Sequence, residues 1–331
     1  VKVSIVGASG AVGRAMLEEL EMRTDVAASD LSLFASARSA GTELKFRGEK
    51  LMVEEYDLSK VSKTQVCLMS AGSGFSKTNA EQISAAGVWV VDNSSAWRRD
   101  DRFPLVVPEV NGGLLKELAK PTIVANPNCS TIQMIPPLAD LEAAFGLERV
   151  SVATYQSVSG AGQEKIDLLA QQAKEPAFGD GLDEHSLAFN VIPAIDTISE
   201  DGHCYEEVKM VVETRKILSL PGLDIRASVA RVPVFYGHSE NLFVDLKKEV
   251  SMQELEELFS ASKDYDYQQT KDYEWLPTPR RVQHQGGILV SRARLGWGES
   301  SSRTVQFWVV ADNLRKGAAT NAVQILNVLR S

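Results

Sequence analysis

Short apolar runs separated by amphipathic stretches fill the first third of the chain. "VKVSIVG" (1–7) is apolar enough for a buried strand. "AVGRAMLEELEMR" (11–23) brings Val12, Met16, Leu17 and Leu20 onto one helical face. "LSLFAS" (31–36), "QVCLMSAG" (65–72), "VWVVDN" (88–93) and "PTIVANP" (121–127) are further strand-like runs that end in polar or turn residues, and 75–86 reads as helix. Strands alternating with helices imply a parallel sheet covered on both faces. The pattern changes after Cys129. Residues 130–145 read as helix, and longer strands are expected at 149–158, 226–234, 240–250, 287–295 and 303–311. Helical stretches fall near 163–174, 206–219 and 252–262. These strands alternate apolar and polar positions, which fits an α+β unit whose antiparallel or mixed sheet is covered on one side. The last amphipathic stretch, 316–330, carries Ala319, Val323, Ile325, Leu326 and Leu329 on its apolar face and is expected to return to the first unit. The expected division is therefore 1–127 plus 313–331, and 128–312. Residues 176–203 are the least regular and read as a loop or a partner-binding insertion.

With 331 residues, 44% hydrophobic and 24% charged, the chain is long enough for two cores. A formal charge of −9 argues against a nucleic-acid or anionic-membrane surface, although a few local Arg and Lys residues can still hold an anionic small substrate. The three cysteines, Cys67, Cys129 and Cys204, are widely spaced and form no CxxC pair. A disulfide framework or a cysteine metal site is not expected, and a reducing cytoplasm fits. No leader-like segment opens the sequence, and no apolar run approaches the ~18 residues of a membrane span. The expectation is a cytoplasmic protein without a metal centre.

"VKVSIVGASGAVGRAMLEEL" reads as strand, Gly7-x-x-Gly10-x-x-Gly13 turn and helix. Glycines permit a tight turn and close backbone approach, and the helix N-terminus offers N–H groups to a pyrophosphate. An ordinary strand–helix turn that uses glycine for packing is the alternative. The end of the second strand discriminates among dinucleotides. An NAD site usually places Asp or Glu there, whereas this chain reads "FASARSAG" (34–41). Ser36, Arg38 and Ser39 supply donors and a cation, which suits the extra phosphate of NADP.

In "ANPNCSTIQMIPPL" (125–138), Cys129 follows a strand and opens a helix, where backbone N–H groups favour a thiolate and can hold an oxyanion. A buried small hydrophobe is the equally open reading. Cys67, inside "QVCLMS", reads as core, and Cys204 has no assigned role. Four histidines are present. His238, between two strand-like runs in "RVPVFYGHSENLFV", is either structural or the base a thiol would need.

Together "VGASGAVGRAMLEEL", "ASARSAG", "VVDNSSAWR", "PLVVPEVN", "NPNCSTIQM", "TYQSVSGAG", "EEVKM", "ARVPVFYGHSE" and "VVADNLRKGAA" resemble the aspartate-semialdehyde dehydrogenases, in order from residue 1 to about 328. The resemblance is to the bacterial form. It implies a Rossmann-like dinucleotide-binding domain followed by an α+β catalytic and dimerisation domain of the glyceraldehyde-phosphate-dehydrogenase type. It implies NADP-dependent, reversible conversion of β-aspartyl phosphate to aspartate β-semialdehyde and inorganic phosphate, on the route to lysine (through diaminopimelate), threonine and methionine. Cys129 would be the nucleophile that carries a thioester, His238 the general acid/base, and Gln156 the residue that orients substrate and thioester. Arg231 would hold the α-carboxylate and Glu206 the α-ammonium, while Arg98 and Lys209 would form the phosphate pocket. Arg99 sits beside Arg98 and competes for that assignment. Ser9, Gly10, Ala11, Val12, Arg38, Ser39, Ser159, Gly160 and Asn313 would contact NADP. The implied assembly is a homodimer, with two dimers together as the larger option. The rival enzyme class is an N-acetyl-γ-glutamyl-phosphate reductase, whose substrate has no free ammonium for Glu206. A glyceraldehyde phosphate dehydrogenase would be expected to show a second-strand carboxylate. A non-catalytic nucleotide-binding relative could have lost Cys129 or His238; both are present.

Overall fold

The computed structural model describes residues 1–176, 181–270, 275–298 and 301–330. It divides into two compact units, Val1–Asn128 with Ala318–Ser331, and Cys129–Gly317. Residues 313–317, expected in the first unit, group with the second, and Asn128, expected in the second, groups with the first.

The first unit is a seven-stranded sheet built from β1 (Val3–Val6), β2 (Leu31–Ala35), β3 (Glu43–Phe46), β4 (Glu49–Glu55), β5 (Val66–Met69), β6 (Trp89–Asp92) and β7 (Ile123–Ala125). The order is β3-β4-β2-β1-β5-β6-β7, parallel except for the β3–β4 hairpin. Its helices are α1 (Ala11–Arg23), α2 (Leu58–Val61), α3 (Ser73–Ala85) and α4 (Pro108–Asn111). β1 lies between β2 and β5, so the chain leaves it first to one side and later to the other. In such sheets ligands bind where the order reverses, at the carboxyl ends of the strands. The Gly7–Gly13 turn sits at that end of β1.

The β3–β4 hairpin escaped the sequence pattern because its strands are mostly exposed and charged. Its turn also lacks the usual Asn-Gly or Asp-Gly pair. Arg47 and Gly48 both take positive φ, +49° and +81°. The Arg47 side chain offsets the strain by donating to the backbone carbonyls of Val26, Glu21 and Thr24.

The second unit holds α5 (Cys129–Phe145), β8 (Leu147–Gln156), α6 (Gln163–Gln172), α7 (Tyr205–Leu218), β9 (Asp224–Arg231) and β10 (His238–Leu246). It continues with α8 (Met252–Ala261), β11 (Asp266–Gln268), α9 (Pro279–Val282), β12 (Ile288–Leu295) and β13 (Thr304–Ala311). The sheet order is β11-β12-β13-β10-β8-β9, with antiparallel pairs at its centre and parallel ones at both edges. Alternate residues of each strand face a core formed with α5, α7 and α8, including Val150, Leu242, Phe259 and Phe307. The opposite face is open, with Tyr155 and Phe243 exposed. α10 (Asn321–Arg330) belongs to the first unit and buries Val323, Ile325 and Leu326 in its core; residues 315–320 ahead of it form a wider π-helical turn. Of the irregular segment 176–203, residues 177–180 lie outside the described residues. The rest is tied down by single bridges, Ile192 to Arg231 and Ile198 to Cys204.

Phe259 is fully buried against the rings of Tyr265, Tyr267 and Phe307. Phe259→Ala should cost about 3–5 kcal/mol, read as a lower urea midpoint with an unchanged slope.

Candidate active site

In the first unit, two glycines are demanded by the backbone. A Cβ on Gly7 (φ +91°) would lie 2.2 Å from the Ser70 carbonyl oxygen, and one on Gly13 would lie 2.2 Å from that of Gly7. The turn therefore folds tightly under the start of α1. No side chain caps that helix and no acid stands in its first turn, so its N–H groups, flanked by Ser9, Gly10, Ala11 and Val12, are open to an anion. A 3-10 turn, Ala37–Ser39, follows β2 directly. It presents Ser36 and Arg38 to solvent with Ser39 half-buried. Arg38 makes no ion pair among the described residues. A bare cradle, no acid and one available guanidinium fit a dinucleotide carrying an extra phosphate. Arg98 is buried and donates to the Asn93 carbonyl at 2.9 Å, whereas Arg99 is exposed.

In the second unit, register brings the chemistry together. Gln156 and Arg231 are paired partners at the ends of the parallel strands β8 and β9. β10 enters beside them at His238, directly across from Ala311 on β13, two residues before Asn313. Ser157 joins these groups. Its carbonyl accepts from Arg231 Nη1 at 2.5 Å, its N–H donates to His238 Nδ1 at 3.1 Å, and its hydroxyl lies 3.0 Å from Asn313 Oδ1. Asn313 Oδ1 also receives the Gly237 N–H and faces the Ser159 hydroxyl, both at 3.0 Å. Ser159 and Asn313 are thus committed to buried bonds inside this unit.

His238 is fully buried, and its Nε2 has no hydrogen-bond partner among the described residues. Gly160 packs close to that nitrogen: a Cβ there would come 3.3 Å from Nε2 and 3.5 Å from Arg231 Nη1. Burial and then the Arg231 guanidinium push the imidazole down to about 3, against the opposing pull of Glu206 and the Gly237 backbone. The ring is neutral.

Cys129 is the first residue of α5 and remains partly exposed, whereas Cys67 and Cys204 are buried. The guanidinium of Arg231 interacts electrostatically with Cys129. That charge and the positive end of α5 both favour a thiolate. Burial pulls Arg231 below its ordinary value, and Cys129 and Glu206 draw it back. Gly317 packs against the thiol residue so closely that a Cβ would sit 2.8 Å from Cys129 Cβ. Cys67 is core, its thiol pushed up to about 12 by burial.

On spacing alone Glu206 and Lys209 read as a solvated helix pair. Instead they form a largely buried ion pair at 2.8 Å, and Gln156 Nε2 donates to the same carboxylate at 3.2 Å. Lys209 also approaches Asp196 at 3.3 Å. Burial lowers the Lys209 ammonium, but the two carboxylates outweigh it and hold it above its ordinary value. The carboxylate and guanidinium beside the thiol could grip a zwitterionic substrate. The nucleophile and the neutral imidazole could add to a carbonyl and hold the oxygen.

Glu240 and Ser157 were not foreseen. Glu240 shares the inward face of β10 with His238, two residues on, and is fully buried. Burial raises its carboxyl well above the ordinary range, against the pull of Gln133 and Ser130 on α5. Burial thus favours the protonated form of this acid. The strand HSENLFVDL carries polar residues on both faces, so nothing in its pattern singled out Glu240. Ser157 acts mostly through its backbone and leaves no signal either. No group of His, Cys, Asp and Glu that could hold a metal occurs among the described residues. No helix among them is long and apolar enough to cross a membrane.

Residues 2–118 match the family described as semialdehyde dehydrogenase, NAD binding domain, and residues 137–316 match semialdehyde dehydrogenase, dimerisation domain. The chain is 42% identical to the aspartate-semialdehyde dehydrogenase of Aquifex aeolicus over 99% of this chain and 97% of that one. It is 38% identical to that of Bacillus subtilis with the same coverage. Among solved structures, aspartate semialdehyde dehydrogenase II of Vibrio cholerae superposes with a TM-score of 0.90 at 40% identity, covering 99% of this chain and 98% of that one. The same enzyme complexed with ASA matches equally.

Maleimide labelling of the native protein should modify Cys129 alone, with Cys67 and Cys204 reacting only after unfolding; peptide mass spectrometry reads this directly. Glu240→Gln should become more stable relative to wild type as pH rises from about 5 to 8. The raised folded-state value means the acid's stabilisation is full below its unfolded value and is lost as pH climbs toward the folded one. Urea midpoints of both proteins at each pH measure the difference.

Proposed function

Since the chain belongs to the aspartate-semialdehyde dehydrogenase family, and so interconverts β-aspartyl phosphate and aspartate β-semialdehyde with NADP, we propose specific roles for its residues in that reaction. Cys129 forms the acyl-enzyme. Arg231 holds the substrate α-carboxylate through a planar fork that a lysine cannot reproduce. Glu206 receives the α-ammonium. Gln156, hydrogen-bonded to Glu206, orients the acyl group. His238 is the general acid/base. Lys209 is assigned to phosphate binding, and of the two neighbouring arginines the buried Arg98 is preferred over the exposed Arg99 for the phosphate role.

The coenzyme, when bound, accepts hydride from the substrate carbon. Gly7, Ser9, Gly10, Ala11, Val12 and Gly13 cradle its pyrophosphate, and Ser36, Arg38 and Ser39 hold its extra phosphate. Ser159, Gly160 and Asn313 remain candidates for its nicotinamide end, Gly160 through its backbone. The remaining work is done by the protein. The α5 N-terminus and Arg231 keep Cys129 anionic, so sulfur can attack. The thioester is reactive enough for phosphate to displace the sulfur again. The capped amine of an N-acetylated substrate would leave the buried Glu206 carboxylate facing no charge, which disfavours that alternative. The observation that carries this reading is the convergence of Arg231, Gln156 and His238 on adjoining strand ends beside Cys129.

Biosynthetic flux runs toward the aldehyde, in lysine, threonine and methionine formation. We assign the protein to the cytoplasm, as a homodimer joined through the open face of the second sheet. A tetramer of two such dimers is the alternative that a mass measurement decides.

Wild-type protein should reduce NADP+ with aspartate semialdehyde only when phosphate is present. Cys129→Ala should lower turnover by about 10⁴-fold or more while still binding NADPH in a fluorescence titration; retained turnover would remove the thioester from the scheme. Arg38→Ala should raise the KM for NADP+ by roughly 10- to 100-fold, the loss of one charge-assisted hydrogen-bond set, and leave that for NAD+ nearly unchanged.

A further inference from the structure

We infer that Asp92 is a positioning residue for phosphate: its buried carboxyl group folds residues 93–98 so that the Arg98 guanidinium is held ready for that anion. The inference rests on the proposed assignment of Arg98 to phosphate and goes beyond it by naming what holds the arginine in place.

Residues 93–98 leave the end of β6 and enter neither helix nor strand, and all of them are at least half-buried. A segment of this kind has to find partners for its N–H groups outside any regular ladder. Two of those groups end on side chains at its own start. The Ser94 N–H donates to Asp92 Oδ1 at 3.1 Å, and the Ala96 N–H donates to Ser94 Oγ at 3.2 Å. The Ser94 hydroxyl in turn donates to Asp92 Oδ2 at 2.7 Å. A second chain of bonds reaches the same oxygen from outside the segment. Trp97 Nε1–H donates to Ser76 Oγ on α3 at 2.8 Å, and the Ser76 hydroxyl donates to Asp92 Oδ2 at 2.8 Å. Asp92, fully buried, is where both chains meet. Burial raises its carboxyl above the ordinary value, while the serine hydroxyls, the Ser94 N–H and the Arg98 guanidinium pull it back.

Arg98 inherits these constraints. Its Nη2 donates to the Asn93 carbonyl at 2.9 Å. An arginine can reach a carbonyl five residues earlier only if the chain between them turns back. The turn is made by the Asp92 contacts, directly to residue 94 and through Ser76 to residue 97. The far side of Trp97 is closed by Phe103, its ring edge-on at 5.2 Å. Asn93 is fixed as well. Its N–H donates to the Met69 carbonyl at 2.9 Å, and its side-chain oxygen accepts from Asn126 Nδ2 at 2.5 Å. A long cationic side chain ordinarily loses its rotamer freedom when it grips an anion, and one oriented beforehand has already lost it. The gain therefore belongs in the affinity for phosphate and not in the hydride step.

The test measures phosphate-dependent NADP+ reduction by the full-length protein with Asp92→Asn, Arg98→Ala and the double variant. Asp92→Asn keeps one oxygen for the two serine hydroxyls, but its amide nitrogen cannot accept the Ser94 N–H. It should raise the KM for phosphate by about 10-fold, the scale of one hydrogen bond to a charged group, and leave the other KM values and kcat within about twofold. Because Asp92 acts through Arg98, the double variant should have the phosphate KM of Arg98→Ala alone. Trp97→Phe removes the indole N–H and keeps the packed ring. It should raise the same constant, which gives the reading even if Asp92→Asn folds poorly.

An unchanged phosphate KM in these two variants, beside a raised one in Arg98→Ala, would overturn the inference and leave the Arg98 assignment intact. Equal losses in the KM values for phosphate, NADP+ and aspartate semialdehyde, or additive losses in the double variant, would also overturn it, since Asp92 would then be a general support of the fold. An unchanged phosphate KM in Arg98→Ala would sink the assignment itself, and the inference with it.

Discussion

The second unit depends on a single residue whose backbone is held on both sides. Ser157 follows the last residue of β8, and its carbonyl and N–H reach in opposite directions, to a guanidinium on β9 and an imidazole on β10. Because β8 lies between those two strands in the sheet, one residue can orient both neighbours at once. The geometry is set by strand register and not by flexible side chains. Backbone groups in a sheet lose little further entropy when they bind, so the site is organised before any substrate arrives.

Charge in this region is arranged sparingly. Two acids of this unit sit in different surroundings. Glu206 has Lys209 at 2.8 Å and accepts from Gln156. Burial raises the Glu240 carboxyl well above the ordinary range, against the pull of Gln133 and Ser130 and with a smaller push from Glu206. The protonated form that burial favours adds no negative charge beside α5.

Much of this was legible in the sequence, for identifiable reasons. The alternation of short strands with helices, the glycine turn and the serine–arginine stretch after β2 are local signals, and each appears where its pattern placed it. Cys129, Gln156, Arg231 and His238 lie in segments whose motifs could be read in order along the chain, although strand pairing alone shows that they converge. The β3–β4 hairpin stayed hidden because polar edge strands carry no apolar pattern and Arg47 stands where asparagine or glycine is usual. Ser157 stayed hidden because its bond to Arg231 and one of its two contacts to His238 come from its main chain, which any residue type provides. Ser159 and Asn313 were read as coenzyme contacts from resemblance, and strand pairing adds that their side chains also hold the loop at residue 157. The Glu206–Lys209 pair looked solvated because spacing says nothing about what covers a helix face.

The close contact between Gly317 and the β-carbon of Cys129 bears on how the protein could be diversified. Attempts to widen substrate choice commonly randomise every position around a nucleophile. Here one of those positions admits no substituent, since even a methyl group would displace the residue that bears the sulfur. Variation has to come from the opposite wall, at the strand ends, where side chains already project. A library built on this chain should hold codon 317 fixed.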